Sequence, residues 1–460
     1  MHLFDQLAID SPDNLVYGRA PKPVTTRRGV VLGGGTVYPE LNFTVPPMPV
    51  DETTISEIRD MYRAIVDEAC GRAVALDCEA LVVELETLIE MTITPRYAIE
   101  LTETINEVLD SWQSRTGLKS ALRVTPNDTR EMKRPPYLRS GKFLDRMLET
   151  FEGCARAGGE LLSIESTGGK EIHDDALIAC DIGAVIFALG IMGPRDMAFL
   201  WKHIVDIAAS NGTVAAGDTA CGFANTAMVL AEKKMIPRVF AAVVRAASAA
   251  RSLVAYEQGA VGPGKDCGYE NIYLKAITGC PMSMEGAVAA CAHLSPLGNV
   301  AAAACDLWSN ESVQNVKLLG GRAPTVFLEQ LIYDCRLMNT ARASGVDRAY
   351  RDLLVASDSS LDPQAYVLAP ANAIRIAAAA VSQGSHYAAC KAAAAETLSL
   401  IKEGHEAGAV RIPEMELTYL DMLTAAVGSL PGNQDRFIEQ MLAQSDMTKF
   451  RPEEYALRAA

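Results

Sequence analysis

Histidine is scarce in this chain of 460 residues, and none of the six stands in a His-x-x-x-His or His-Glu-x-x-His spacing. That leaves a histidine-bound metal on one helix face without support. His173, His203, His293, His386 and His405 are too scattered to suggest a Ser-His-Asp arrangement either. No Cys-x-x-Cys pair occurs, which argues against a closed structural zinc knuckle. There is no Lys/Arg block, and 57 acids against 42 bases give a net charge of −15, the wrong sign for a phosphate-backbone partner. Long apolar runs are missing as well. The longest, Ile182 to Gly193, is bracketed by Asp181 and Arg195 and is too short to span a bilayer. The opening Met-His-Leu-Phe-Asp lacks the basic and apolar regions of a signal peptide, so a cytoplasmic location is expected.

What is present is an ordinary α/β composition, 49% hydrophobic and 22% charged, in a chain long enough to bury a large core. Eleven cysteines, an odd number, point to free thiols in a reducing compartment. Cys70, Cys78, Cys154, Cys291, Cys305, Cys335 and Cys390 stand among Ala, Val, Leu or Phe and read as core packing.

Residues 1–50, with Pro21, Pro23, Pro39 and Pro49, read as an irregular extended arm. From Asp51 a helix begins, with Ile55, Ile58, Tyr62, Ile65 and Ala69 on one face. Short β-rich runs then recur at 80–86, 120–125, 160–165, 184–189, 213–218 and 252–257, separated by helical patterns such as Phe143 to Cys154 and Met197 to Ile207. Continuous apolar strands alternating with helices are the mark of a parallel sheet covered on both faces. Two further strands, around Val313 to Leu319 and before Met284, would make eight and close a (β/α)8 TIM barrel over 51–340. A doubly wound open sheet is the alternative. Beyond about residue 340 the pattern is helical, including Ala371 to Val381 and Ala388 to Lys402, and a helical region 341–460 packing on the barrel is expected.

In a parallel barrel the reacting groups gather where strands end. Glu165 ends the third run, Cys221 lies just past the fifth in Asp218-Thr-Ala-Cys221, and Cys267 follows the sixth in Lys265-Asp-Cys267-Gly-Tyr-Glu270. Two thiolates and a carboxylate from three loops, with no fourth ligand at hand, would leave zinc an open position, as a catalytic site requires. Each also has a plainer reading: Glu165 as a capping or salt-bridge acid, the cysteines as small loop hydrophobes. Asp218 and Glu270 stand beside these residues as candidate supporting acids. Glu84 and Glu86 could line a barrel mouth or face solvent. Cys280 is the alternative thiol. Gly33-Gly34-Gly35 resembles a phosphate loop, but the Thr-Val-Tyr-Pro after it cannot open a helix.

The same segments carry a family resemblance. Pro39-Glu-Leu-Asn, Ser163-Ile-Glu-Ser-Thr-Gly-Gly-Lys-Glu171, Ala215-Ala-Gly-Asp-Thr-Ala-Cys221, Ala246-Ala-Ser-Ala-Ala-Arg-Ser-Leu-Val-Ala-Tyr-Glu257, Gly262-Pro-Gly-Lys-Asp-Cys-Gly-Tyr-Glu-Asn271 and Cys305-Asp-Leu-Trp-Ser-Asn-Glu-Ser312 resemble the zinc-containing subunit of methanol:corrinoid methyltransferase. The resemblance runs over nearly the whole chain and is weakest in 230–240 and in the last fifty residues. It implies zinc on Glu165, Cys221 and Cys267, with methanol as methyl donor and a corrinoid carried by a separate protein as acceptor. Asp218 or Glu270 would then be available to protonate the departing oxygen. It also implies a homodimer within a heterotetramer. The corrinoid carriers' Asp-x-His-x-x-Gly motif does not occur around any of the six histidines, so the cobalt is expected from the partner.

Overall fold

The computed structural model describes residues 4–457 apart from 293–294, 314–315 and 382, and the side chains at 289 and 291–292 are also outside the description. The expectations for the Cys291 side chain and for His293 therefore lie outside the described residues. An antiparallel hairpin opens the chain, β1 (Arg19–Thr25) with β2 (Val31–Gly34). Seven parallel strands come next: β3 (Tyr38–Thr44), β4 (Ala80–Glu86), β5 (Lys119–Thr125), β6 (Leu161–Ile164), β7 (Val214–Asp218), β8 (Ser283–Glu285) and β9 (Leu307–Val313). They are ordered β7-β6-β5-β4-β3-β9-β8.

An eighth stave, too short and glycine-rich to count as a strand, closes the ring. Val261 and Gly262 donate to the carbonyls of Ala215 and Ala216 on β7, both at 2.9 Å. On the other side Gly264 accepts from Ser283 at 3.3 Å and bridges Met282 in parallel. The fold is thus an α/β barrel of the (β/α)8 kind, with helices between staves. One of these, Ile55–Ala75, buries the five residues expected of its apolar face. Glycines pinch the wall at this seam: a Cβ on Gly217 of β7 would lie 3.0 Å from Gly264 Cα and 2.7 Å from the Tyr256 hydroxyl.

Several strand assignments need correction. Residues 184–189 belong to a continuous helical run, Ile182–Asn211, and 252–257 are the last turns of the helix Arg238–Glu257. Every residue from Val239 to Glu257 is buried, so neither a polar face nor a 3.6-residue period betrays the helix. Both helices are long and apolar enough to cross a membrane, yet 72% and 100% of their most apolar windows are buried inside the protein. The Arg238–Glu257 helix packs against His386–Glu406 on one side and Gly193–Asn211 on another. The stave expected over 313–319 lies earlier, at Leu307–Val313. The first fifty residues are not merely irregular, since they include the hairpin and β3, a full stave. The strand expected before Met284 is β8, centred on that residue at Ser283–Glu285, and from Asp347 onward the described elements are all helical.

The barrel interior departs from the usual stacked Val, Ile and Leu layers. Below, Ala80, Val82, Ala121, Leu161, Ala216 and Leu307 form an apolar floor, and above it polar side chains of alternate residues point inward on several strands. Arg123 (β5) reaches across the lumen to Glu40 (β3) at 2.6 Å and to Ser163 (β6) at 2.6 Å, while Ser283 (β8) also bonds Glu40. One step nearer the mouth, Asn42 Nδ2 donates to Glu86 at 3.0 Å.

Candidate metal centre

Glu165 opens the loop after β6, Cys221 begins a widened helical turn (Cys221–Asn225) after β7, and Cys267 lies just past the eighth stave. These are three neighbouring staves. Their donor atoms all lie within 4.8 Å of one another. The Cys267 Sγ is 2.7 Å from Glu165 Oε1. A tetrahedral zinc with ligands at about 2.0–2.3 Å spaces its donors by roughly 3.5 Å, so the donor set fits such an ion. Among the described residues this is the group of His, Cys, Asp or Glu side chains with metal-binding spacing. Cys280 is buried elsewhere and takes no part.

The surroundings hold these donors from behind. Asn225, one helical turn beyond Cys221, places Nδ2 3.8 Å from Cys221 Sγ and 2.9 Å from the Cys267 carbonyl, tying the two thiol loops together. Asp218 is fully buried. Its carboxylate accepts from Ser166 Oγ (2.6 Å), Trp201 Nε1 (2.8 Å), Ser166 N (3.2 Å) and Thr219 N (2.8 Å), fastening the Glu165 loop to the Cys221 loop. Glu270 is equally buried and accepts from Ala220 N (2.6 Å), Ser252 Oγ (3.0 Å) and Thr219 Oγ1 (3.2 Å). The Glu165 loop needs glycine at 168, where a Cβ would lie 2.2 Å from Asp196 Oδ2.

Lys265 is the charge at the centre. Its ammonium is 2.9 Å from Glu84, 3.3 Å from Glu86 and 3.6 Å from Glu165, and it also bonds Asp266. Burial by itself would lower its pKa, but Asp266, Glu84 and Glu86 outweigh this and hold it well above the lysine range, so it stays cationic. Burial and the charge of Glu86 push Glu165 up to about 7, while burial holds the Cys267 thiol well above its ordinary value. Without an ion, then, both thiols keep their protons at neutral pH and Glu165 is partly protonated. A divalent cation must displace these protons, which couples binding to pH.

Glu165 and Glu86 share a cleft of 190 Å³ with Thr125, Asn127, Lys170 and Gly222. That is below the 300–1,000 Å³ of a drug-sized ligand site. Of the three donors only Glu165 lines it, and neither Asp218 nor Glu270 does. A larger groove of 1090 Å³, lined by Ile178, Met235, Met415 and Met422 among others, contains none of the three donors.

Of the residues that matter here, sequence reading passed over Lys265, Asn225, Glu171 and Arg251, whose buried guanidinium lies 3.5 Å from Asp218. Lys265 stands two positions before a donor, a signal that was available. Glu171 is pushed up to about 7 by burial, against an ordinary 4.5. A carboxyl raised in this way stabilises the fold fully below about 4.5 and loses that contribution as pH climbs through about 7. In denaturant titrations of metal-free protein, Glu171→Gln should therefore gain relative to the unaltered chain between pH 5 and pH 8, by on the order of 2 kcal/mol. A flat difference would count against this.

Comparison with known proteins agrees with this architecture. The chain is 39% identical over 458 residues to a methanol–corrinoid protein co-methyltransferase of Methanosarcina barkeri, covering 98% of both. It superposes with a TM-score of 0.95 and 38% identity on a chain of the crystal structure of the methanol:cobalamin methyltransferase complex MtaBC from the same species, covering 99% of each. The model of one family matches residues 1–456, and by that match and these identities the chain belongs to the methanol-cobalamin methyltransferase B subunit family, MtaB.

Proposed function

We propose that this chain moves the methyl group of methanol onto the Co(I) corrinoid of a partner corrinoid protein, giving methyl-Co(III) and water, at a zinc ion held by Glu165, Cys221 and Cys267. The observation that carries this reading is the convergence of two thiols and a carboxylate within 4.8 Å at the mouth of a barrel of this family. Zinc bound there supplies Lewis acidity toward an alcohol oxygen, which hydroxide's poor leaving ability demands.

The chain's own residues do the rest. Lys265 holds Glu165 and Glu86 on either side of one ammonium, which fixes the direction of the ligand carboxylate. Glu86, lining the cleft, is available to accept the alcohol's O–H and to hold the proton that the departing oxygen needs to end as water. Asp218 and Glu270, closed off from the cleft and bonded to backbone N–H groups, suit a positioning role better than proton delivery. The reading includes a corrinoid partner seated over the mouth, with the chain paired to itself within a cytoplasmic heterotetramer.

Membership of the family and 39% identity to a methanol–corrinoid protein co-methyltransferase favour methanol over a methoxylated aromatic donor. The test is methylation of reduced cobalamin by the purified chain, with metal content measured on the same sample. One zinc per chain and methanol-dependent methylcobalamin are expected. Turnover of a methoxylated aromatic but not of methanol would transfer the assignment to that donor class. Absence of both metal and turnover would reduce the barrel to a docking scaffold for a cobamide protein.

A further inference from the structure

The loop between Glu165 and the helix Lys170–Ala179 contains two adjacent glycines, so little in its own chain fixes its path. Outside contacts do so, almost residue by residue. Ser166 is held by Asp218 and by Arg251, whose guanidinium lies 2.6 Å from Ser166 Oγ. The Thr167 N–H donates to Asp128 at 2.9 Å, and Asp128 is paired with the buried Arg130, which in turn grips Asp196 at 2.7 Å. All of these come from the barrel. The next grip does not.

Gly169, at φ +94°, is buried, and its N–H belongs to a first helical turn, where no backbone carbonyl is available to it. It donates to the hydroxyl of Tyr455 at 2.9 Å, and that hydroxyl donates onward to Glu171 Oε1 at 2.5 Å. Tyr455 itself is wholly buried in the last turn of the described chain, Pro452–Tyr455. The turn has anchors independent of the loop. Glu454 accepts from Leu138 N (3.0 Å) and Arg139 N (2.8 Å), and Arg195 donates to the Ala456 carbonyl at 2.8 Å.

We propose that the Tyr455 hydroxyl is a positioning residue for the metal donor Glu165, so that the C-terminal turn of the chain, 290 positions away in sequence from that donor, completes the metal site. The inference rests on the metal reading given above. Removing the hydroxyl leaves a buried N–H without a partner four residues from the ligand, while the ring still fills its place beside Phe450, 6.2 Å away. Loss of a group that orients a ligand typically weakens metal binding by about 10- to 100-fold.

The test compares the unaltered protein, Tyr455→Phe and Glu454→Ala. Each is titrated in its metal-free form with Zn2+ against a chelator and with Co2+ followed by thiolate-to-cobalt absorption, and each metal-free Tm is recorded. Tyr455→Phe should raise the zinc dissociation constant about tenfold and alter the cobalt spectrum, with less loss of Tm than Glu454→Ala. Glu454→Ala, which cuts a tail anchor that does not touch the loop, should lower Tm and leave metal affinity unchanged. Unchanged affinity in Tyr455→Phe, or an equal weakening in Glu454→Ala, would overturn the proposal while leaving the metal centre standing. An unaltered protein that binds neither ion would sink the metal reading and this inference together.

Discussion

Cys221→Ala and Cys267→Ala should each leave a folded barrel that retains well under one zinc per chain and methylates cobalamin at least about a thousandfold more slowly. The size comes from the work asked of the ion: Lewis-acid stabilisation of a developing oxygen charge is worth several kcal/mol, and about 4 kcal/mol is three decades in rate. The fold should survive because Cys221 begins a short helical turn and Cys267 sits in a loop, both beyond strand ends, and neither is part of a stave. Elemental analysis of each variant, alongside Glu165→Gln and a methylcobalamin assay, checks the claim. Stoichiometric zinc with normal turnover in all of them would remove the basis for the assignment.

The second large effect concerns stability. In Lys265→Met the cation at the centre of the lumen disappears while Glu84 and Asp266, both fully buried, remain. Breaking a buried pair by deleting one partner costs about 3–5 kcal/mol, because the other charge is left uncompensated. Glu84→Gln added to Lys265→Met should recover part of that loss, a coupling that a double-mutant cycle in urea would measure. A cost under about 1 kcal/mol for the single change would mean that the lumen is better hydrated than its burial implies.

Legibility in the sequence followed local chemistry. Ala80–Glu86, Lys119–Thr125, Leu161–Ile164 and Val214–Asp218 were readable because each is a compact β-branched or aliphatic run with a turn on either side. Tyr38–Thr44 was hidden by the prolines around it, and the stave at 261–264 by being mostly glycine and proline. Residues 184–189 and 252–257 resembled strands because near-complete burial of their helices erases the amphipathic period. The three donors could be named because strand ends are where barrel chemistry collects. The network behind them could not. Asp128 meets Thr167 across 39 residues and Tyr455 meets Gly169 across 286, separations on which no local pattern bears. The Glu84-x-Glu86 alternation was in plain view, and its face was uncertain only because a two-residue period cannot say which side of a sheet is wet.

The seam between β7 and the eighth stave decides which two lips stand side by side. Backbone hydrogen bonds from Val261 and Gly262 to Ala215 and Ala216 make the loops carrying Cys221 and Cys267 immediate neighbours, and glycine at 217 and 264 leaves no side chain between the two backbones. A pair of sulfurs presented together suits first-row ions with a taste for thiolate and offers little to calcium, which takes six to eight oxygen neighbours.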